Sequence, residues 1–408
     1  MENSWVHKTL GELFVFKNGL NKGKEYFGYG TPIINYMDVY KHPAIKKKYV
    51  QGRVTLSHQE LDRFRVLKGD VFFTRTSETP EEVGMSATLL EDIPNCSFSG
   101  FVLRARPLTD LLIPEYCVYA FTAKEIRASI IKNCTYTTRA LTNGRVLASL
   151  KLPIPSLAEQ QRIASALSDA DALVTELDVL IEKKRAIMAG TMQELLTGKR
   201  RLQGYNEKWK ESAIEDIGNL IRGVSFDSDS VSTSFFENSI PILRANNIVD
   251  GNLFLHDLIF VDKHFVKKHQ YHRENDILIC SANGSKRLVG KAALIKGDDN
   301  ISFGAFMTTL RCKNASMALY FSMFMRTDEY RKQINDLLCG SAINNLNSKQ
   351  LYTIKLKHPS DQAEQHAIAT ILSDMDAEIA ELEAKRDKYK EVRQGMMQQL
   401  LTGKIRLI

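Results

Sequence analysis

One stretch of the chain reads Glu159-Gln-Gln-Arg-Ile-Ala-Ser-Ala-Leu-Ser-Asp-Ala-Asp171, and it returns 205 residues later as Glu364-Gln-His-Ala-Ile-Ala-Thr-Ile-Leu-Ser-Asp-Met-Asp376. The end of the same segment, Leu195-Leu-Thr-Gly-Lys199, returns at the same distance as Leu400-Leu-Thr-Gly-Lys404. This period is far longer than the roughly 20–50 residues of a solenoid repeat. We therefore expect a duplicated module, in which a globular part is followed by a long helix, and two similar sites.

Both copies of the repeated stretch have the apolar spacing of a long amphipathic helix, expected over residues 157–197 and 361–402. Apolar side chains recur at alternating steps of four and three, which is the heptad pattern of a coiled coil. In the first helix the seam contains Ile163, Leu167, Val174, Leu177, Ile181 and Leu195. In the second helix the seam contains Ile368, Leu372, Ile379, Leu382, Tyr389 and Leu400.

Two polar residues interrupt each seam, Lys184 and Thr191 in the first helix and Arg386 and Arg393 in the second. A glycine follows each helix at the position of a C′ residue, in the two Thr-Gly-Lys sequences. We expect the helices to pair with each other, and to run antiparallel if a two-fold axis relates the modules. The alternative is two ordinary amphipathic helices within a bundle.

The duplication divides the chain into four segments. Residues 1–150 and 205–355 are expected to form globular domains, and residues 151–204 and 356–408 to contain the helices. Strand-like runs alternate with helical ones, and the runs are Asp70–Thr74, Phe98–Arg104, Asp276–Cys280 and Met307–Arg311 for strands and Glu115–Lys132 and Ala318–Leu338 for helices. The predicted fold class is α/β, with two similar mixed α/β domains, two long antiparallel coiled-coil helices and pseudo-two-fold symmetry.

The two globular segments match mainly at apolar and glycine positions. Asp70-Val-Phe-Phe73 matches Asp276-Ile-Leu-Ile279, Gly84 matches Gly290, and Phe101 matches Phe306. We interpret these shared positions as scaffold. Between them the segments diverge, which indicates one fold that carries two different surfaces.

Composition sets broad limits on the function. The 408 residues carry a net charge of +7, which is compatible with an anionic partner without identifying one. The six cysteines contain no CxxC pair, and neither a secretory leader nor an apolar run of membrane-spanning length is evident. We expect a cytoplasmic protein with no metal site and no membrane association.

Motifs for catalysis are missing from the sequence. It contains no GxSxG, no HExxH and no glycine-rich methyl-donor loop. The segment 284–291 resembles a phosphate-binding loop, but five residues separate its glycines and Ala292 stands where a serine or threonine is needed. We therefore expect no catalytic residues and no cofactor.

Basic and amide side chains lie in stretches rich in glycine, serine and asparagine. Lysine suits phosphate, whereas arginine and asparagine can read base edges in the major groove. The candidates for DNA binding are Lys22, Lys46, Lys47, Lys48, Arg75, Arg139 and Arg145 in the first module and Arg222, Arg244, Asn246, Lys267, Lys286, Arg287 and Asn344 in the second. For any one of them, a solvated surface position is the competing interpretation.

The stretch from Leu152-Pro-Ile-Pro-Ser156 through the repeated helix to Leu-Thr-Gly-Lys-Arg-Arg-Leu202 resembles the spacer region of the specificity subunit of type I restriction–modification enzymes. The resemblance covers the whole chain, as variable module, spacer helix, variable module and spacer helix. The second copy departs from the first at His366-Ala367 and His358-Pro359. These differences leave the apolar seam unchanged.

The resemblance implies two target-recognition domains, each of which reads one half of a bipartite, asymmetric site in double-stranded DNA. It implies that the helices hold the domains apart, and that the chain is a non-catalytic subunit. The partners would be two modification subunits, which are N6-adenine methyltransferases, and restriction subunits bound through them. Two alternatives remain: a cytosolic protein-interaction scaffold built on a coiled coil, and an enzyme with an unrecognised site.

Overall fold

The computed structural model describes residues 5–297, 300–339 and 344–408. It divides into two compact units: unit 1 contains Met1–Asp178 and Ala384–Ile408, and unit 2 contains Val179–Glu383. Each unit thus takes half of each long helix. The four segments 1–150, 151–204, 205–355 and 356–408 follow the sequence repeat rather than this compact grouping, and their boundaries remain predictions.

Unit 1 is a mixed α/β unit. Its strands are β1 (Val6–Thr9), β2 (Phe14–Asn18), β3 (Phe27–Ile34), β4 (Ala44–Ile45), β5 (Arg53–Val54), β6 (Val71–Thr74), β7 (Thr76–Ser77), β8 (Ser86–Leu89), β9 (Ser97–Phe98), β10 (Val102–Pro107), β11 (Thr135–Tyr136), β12 (Ala140–Leu141) and β13 (Lys151–Ile154). Its helices are α1 (Leu10–Leu13), α2 (Tyr36–Lys41), α3 (His58–Phe64), α4 (Pro114–Ala120), α5 (Lys124–Lys132), α6 (Gly144–Ala148) and the first part of α7 (Leu157–Leu196), with 3-10 turns at Lys24–Tyr26, Lys47–Tyr49 and Pro80–Glu82.

The largest sheet of unit 1 has the order β2-β10-β6-β8-β4, beside the sheets β5-β3-β9 and β11-β12-β7 and the pair β1-β13. Strand β6 is buried throughout because both of its faces are covered. Val71 and Phe73 pack with Phe121 and Ile130, whereas Phe72 packs on the opposite face with other core residues. This alternation follows from the two-residue period of a strand.

Unit 2 has the same construction. Its strands are β14 (Trp209–Ala213), β15 (Gly218–Arg222), β16 (Ser239–Leu243), β17 (Ile248–Val249), β18 (Asn252–Leu253), β19 (Ile259–Asp262), β20 (Asp276–Cys280), β21 (Ala292–Leu294), β22 (Ser302–Phe303), β23 (Met307–Cys312) and β24 (Lys355–Pro359). Its other elements are α8 (Ile214–Ile217), α9 (Ala315–Phe324), α10 (Asp328–Leu337), α11 (Ser348–Tyr352) and the first part of α12 (Gln362–Leu400), with 3-10 turns at Ser228–Ser230, Ala245–Asn247, Lys263–Phe265 and Lys268–Gln270.

Three sheets of unit 2 share a strand order with sheets of unit 1, except that β4 has no counterpart among the described residues of the larger sheet. The order β15-β23-β20-β21 corresponds to β2-β10-β6-β8, β19-β16-β22 corresponds to β5-β3-β9, and β14-β24 corresponds to β1-β13. Strand β20 again sends alternate residues to opposite faces, with Ile277 and Ile279 in one cluster and Leu278 and Cys280 in another. The predicted mixed α/β class and the duplication of one scaffold are thereby confirmed.

Three of the predicted elements are wrong in their continuity. The run from Phe98 is split between β9 and β10, because the chain pairs with β3 up to Phe98 and with β6 from Val102. The two helical runs are also split, into α4 and α5 and into α9 and α10. In unit 2 the Thr327 side chain accepts a hydrogen bond from the Tyr330 N–H and so starts a new helix.

The long helices α7 and α12 confirm the predicted ranges to within two residues. Each ends before a glycine in the left-handed region, Gly198 with φ +71° and Gly403 with φ +70°. A tryptophan ring packs against each glycine, so that a Cβ there would lie 3.3 Å from Trp209 or Trp5. The glycines therefore provide both the turn and the space for the ring.

A buried glutamate near the start of each long helix pairs with an arginine that follows the end of the other helix. In unit 1 the Glu159 carboxylate accepts hydrogen bonds from Arg406 Nε at 2.7 Å and Nη2 at 2.8 Å. In unit 2 Glu364 accepts from Arg201 Nε at 3.0 Å and Nη2 at 2.5 Å. Within each unit the two helical segments therefore run antiparallel, as predicted.

Most of the polar interruptions of the seam also form ion pairs between the helical segments. In unit 1 Arg393 pairs with Asp171, and Arg386 Nη1 lies 3.5 Å from Asp178 Oδ1. In unit 2 Lys184 Nζ lies 2.5 Å from Glu378 Oε1. The structure buries the seam residues Ile163, Leu167, Leu177, Ile181, Leu195, Ile368, Leu372, Ile379 and Leu400 and partly buries Val174, Leu382 and Tyr389.

Replacing Gly290 with alanine should destabilise unit 2. Gly290 has φ +83°, and an added Cβ would lie 2.8 Å from Ile334 Cγ1. Strain of this kind costs on the order of 1–3 kcal/mol. Urea unfolding should show a lower midpoint for Gly290→Ala. Gly284→Ala, in the same loop with no atom within 4 Å of the added Cβ, should unfold like the wild type, and equal midpoints for both variants would contradict the expectation.

Glu159 should make the stability of unit 1 sensitive to acid. The hydrogen bonds from Arg406 hold the pKa of Glu159 below its ordinary value of 4.5. A lowered pKa stabilises the fold at neutral pH, and this contribution is lost as the pH falls from about 4.5 through the folded-state pKa. Glu159→Gln should therefore lower the urea midpoint at pH 7. As the pH decreases below 4.5, the midpoint of this variant should fall less than that of the wild type. Glu176→Gln, an exposed position on the same helix, is the control, and an unchanged pH profile in Glu159→Gln would refute the expectation.

Candidate nucleic-acid interface

A concave cleft of about 1080 Å³ opens at one edge of unit 2. Strands β15 and β20 both run antiparallel to β23, so their carboxyl ends reach the same edge. The segments that follow β15, β16, β20 and β22 supply the walls. The lining residues are Val224, Ser225, Phe226, Arg244, Ala245, Asn246, Ile259, Ala282, Asn283, Gly284, Gly304, Ala305, Phe306, Met307 and Asn344.

The cleft brings together three of the residues that the sequence suggests for DNA binding. Arg244 donates from Nη2 to the Asp257 carbonyl at 2.7 Å, and its Nε is buried with no partner among the described residues. Asn344 donates from Nδ2 to the Gly284 carbonyl at 3.0 Å, and Asn246 is exposed. Guanidinium and amide groups on one concave surface can bind the donors and acceptors of base edges.

The corresponding edge of unit 1 carries Lys22, Arg75 and Arg139. Arg75 follows β6 as Ser281 follows β20, and its Nη1 donates to the Gly100 carbonyl at 2.9 Å. Lys22 is held inside the unit, because Nζ donates to Glu60 at 2.6 Å and to the Thr55 carbonyl at 2.9 Å. The charge of Lys22 is therefore already partly neutralised by Glu60.

Asn35 and Arg244 occupy equivalent positions. Asn35 follows Ile34, which pairs with Phe98, and Arg244 follows Leu243, which pairs with Phe303. The two units thus present different chemistry, an amide and a guanidinium, from the same place in the fold. Arg139 is exposed and lies two residues before Leu141, the partner of Thr76.

The structure places the other candidates on exposed segments. Lys46, Lys47 and Lys48 lie at the 3-10 turn after β4, where the Lys47 N–H donates to Glu91 at 2.8 Å. Lys47 and Lys48 line a groove with Arg53. The remaining exposed candidates are Arg145, Arg222, Lys267, Lys286 and Arg287.

Phe101 and Phe306 contradict their interpretation as scaffold. Both side chains are largely exposed, at 66% and 72% of their surface. Phe306 lines the cleft, as do Asn283 and Ser225, which the sequence-based list omits. The turn composition could have predicted this exposure. Each phenylalanine directly follows small residues, Ser99-Gly or Gly304-Ala, and a buried strand residue is not expected after such a turn.

The loop that resembles a phosphate-binding motif has a structural explanation. The carbonyl of Gly290 accepts a hydrogen bond from the Tyr330 hydroxyl at 2.9 Å, and Lys291 Nζ donates to the Ile248 carbonyl at 2.7 Å. Within the described ranges, no three histidine, cysteine or acidic residues are grouped as metal ligands. None of the described helices is long and apolar enough to cross a membrane.

Several known proteins are similar to this chain. The StySPI specificity subunit of Salmonella potsdam is 34% identical over 201 residues, which are 48% of this chain and 43% of that protein. The EcoKI specificity subunit of Escherichia coli K12 is 32% identical over 203 residues, or 49% and 44% of the two chains. The match thus spans less than half the length of these two relatives. A putative MjaX specificity subunit of Methanocaldococcus jannaschii is 25% identical over 429 residues, covering 99% of this chain and 94% of that protein.

The fold is also found among solved structures. The type I restriction–modification S subunit from M. genitalium superposes with a TM-score of 0.60 at 17% identity, covering 98% of this chain and 97% of that one. The family of the type I restriction modification DNA specificity domain matches residues 2–183 and again residues 206–391. These two ranges contain both globular parts and most of both long helices. The chain belongs to the type I restriction modification DNA specificity domain family, and it contains two copies of that domain.

Proposed function

We propose that the chain is the specificity subunit of a type I restriction–modification complex and that it reads a bipartite, asymmetric site in double-stranded DNA. Residues 1–150 and 205–355 are the two target-recognition domains, and residues 151–204 and 356–408 carry the spacer helices. The observation that carries the proposal is the family match to both copies, at residues 2–183 and 206–391. The alternative of a protein-binding scaffold without DNA gives no reason for guanidinium and amide groups in the cleft.

Each recognition domain reads its half-site from the edge described above. Arg244, Asn246 and Asn344 supply groups that can bind base edges in one half-site, and Arg75 and Arg139 supply them in the other. Lysine side chains bind phosphates and set the position of the domain on the duplex. The same scaffold thus reads two sequences because different side chains stand at equivalent places.

Catalysis belongs to the partners of the chain. Two N6-adenine methyltransferase subunits dock on it, and restriction subunits join through the assembled complex. The target adenine must leave the base stack to be methylated, and its pocket lies in the methyltransferase. The chain itself needs neither a cofactor nor a metal, and it acts in the cytoplasm, where host DNA is present.

The proposal is tested by exchanging one recognition domain. The chain is assembled with its methyltransferase subunits, and methylated adenines are mapped on genomic DNA treated with the complex. We expect a motif of two half-sites separated by unread bases. Replacing residues 1–150 with those of a relative should change one half-site only, and replacing residues 205–355 should change only the other. A motif that changes in both halves after either exchange, or that is not bipartite, would refute modular reading.

Neutralising the lysine run tests the division between phosphate and base contacts. The triple variant Lys46→Gln, Lys47→Gln and Lys48→Gln should weaken binding to all duplexes alike and leave the motif unchanged. Each lost phosphate contact lowers the slope of log affinity against log salt by about 0.9. Fluorescence anisotropy over a salt series measures this slope. The control removes three exposed lysines of the long helices, Lys183, Lys385 and Lys388. Equal slopes in both triple variants would place the run away from DNA.

A further inference from the structure

Two phenylalanines project from the same turn in the two units. Phe101 lies between β9 and β10, and Phe306 lies between β22 and β23. The backbone holds both in the same way, because the Phe101 carbonyl accepts from the Arg75 N–H at 3.1 Å and the Phe306 carbonyl accepts from the Ser281 N–H at 3.0 Å. The two aromatic side chains are therefore displayed from equivalent, fixed backbone positions.

The packing of each unit does not explain why these two aromatic side chains are present at exposed positions. Phe101 is 66% exposed and Phe306 is 72% exposed, so neither ring contributes much burial to its own unit. A single exposed apolar side chain is ordinary. Here the same exposed aromatic residue occurs twice, on units whose neighbouring residues differ, as the equivalent residues Asn35 and Arg244 do. When two surfaces differ but keep the same exposed residue, that residue is expected to contact a feature of the partner that both units meet.

The surroundings of the rings favour nucleic acid over protein as that partner. Phe306 shares its cleft with Arg244, Asn283 and Asn344, and no carboxylate is among the described lining residues. Phe101 directly follows Gly100, whose carbonyl binds Arg75 Nη1 at 2.9 Å. A cationic and amide rim around an aromatic ring is the combination that holds a phosphate backbone while the ring contacts bases.

We propose that Phe101 and Phe306 are wedges, one for each half-site, that insert into the base stack of the bound duplex. This inference rests on the proposed function and extends it. An aromatic ring stacks on any base and forms no base-specific hydrogen bonds, so the same residue serves two different half-sites. Unstacking beside the target also assists the exit of the adenine that the methyltransferase modifies. The arginine and asparagine side chains around the two rings differ because they read sequence, and the phenylalanines agree because they act on stacking.

Tryptophan substitution reports directly on insertion. Phe101→Trp and Phe306→Trp are prepared in the full chain, and acrylamide quenching is measured for the chain alone, with the methyltransferase subunits, and with duplex DNA carrying the motif. The native residues Trp5 and Trp209 give a background that the wild type corrects. The control is Leu108→Trp, because Leu108 is 56% exposed just beyond the opposite end of β10.

We expect DNA to reduce the quenching of both introduced tryptophans several-fold and to leave that at position 108 unchanged. Shielding by the methyltransferase subunits without DNA would overturn the wedge and identify the rings as a protein-docking site. DNA binding, seen by anisotropy, with the tryptophans still accessible would overturn the wedge and leave the proposed function intact. A wild-type complex that binds no DNA would overturn both.

Truncation gives a second measurement that does not depend on a bulky probe. Because the rings are exposed, Phe101→Ala and Phe306→Ala should fold and unfold as the wild type does. Each should lower adenine methylation about tenfold at one half-site, the size of one lost stacking contact, without changing the motif. Asn344→Ala should instead change the preferred bases. A changed motif in Phe306→Ala, or unchanged methylation in both alanine variants, would overturn the wedge.

Discussion

A buried carboxylate near the start of each long helix is the interaction on which the arrangement of each unit depends. Glu159 and Glu364 are almost fully excluded from solvent, and a buried charge is costly unless it is paired. The partners, Arg406 and Arg201, follow the ends of the opposite helices. The two helical segments of a unit must therefore run antiparallel. In unit 1 the same carboxylate accepts from Trp5 Nε1 at 3.1 Å, which also fixes the first strand.

The same scaffold is built twice because its constraints are met by matching residues. Gly84 and Gly290 have φ +65° and +83°, and each packs against an isoleucine, Ile130 or Ile334. These requirements leave little freedom in the core. Freedom remains at the edge where the strands end, because side chains there such as Asn246 and Arg139 are exposed. Duplication followed by change at that edge yields two surfaces on one fold, as the proposed reading of two different half-sites requires.

The proposed mechanism separates general contacts from specific ones. Exposed lysines and the two phenylalanines act on features that every duplex has, the phosphates and the base stack. Arginine and asparagine side chains at the strand edges act on features that differ between base pairs. In the proposed function the chain decides where the complex binds, and the methyltransferase subunits supply the chemistry. Such a division would account for the duplicated fold, since each copy would read one half-site.

The sequence by itself determined the duplication and the long helices, because a repeat and a heptad pattern are local properties that neighbouring residues define. It also placed the helix ends, since Gly198 and Gly403 allow the left-handed turn. Only the tertiary structure decided that Arg406 meets Glu159 and that Arg244 and Asn344 share a cleft, because strand order joins residues far apart in the chain. Only the tertiary structure shows that Phe306 is exposed. An apolar residue type predicts burial, and only the packing around the turn shows that the ring is largely uncovered.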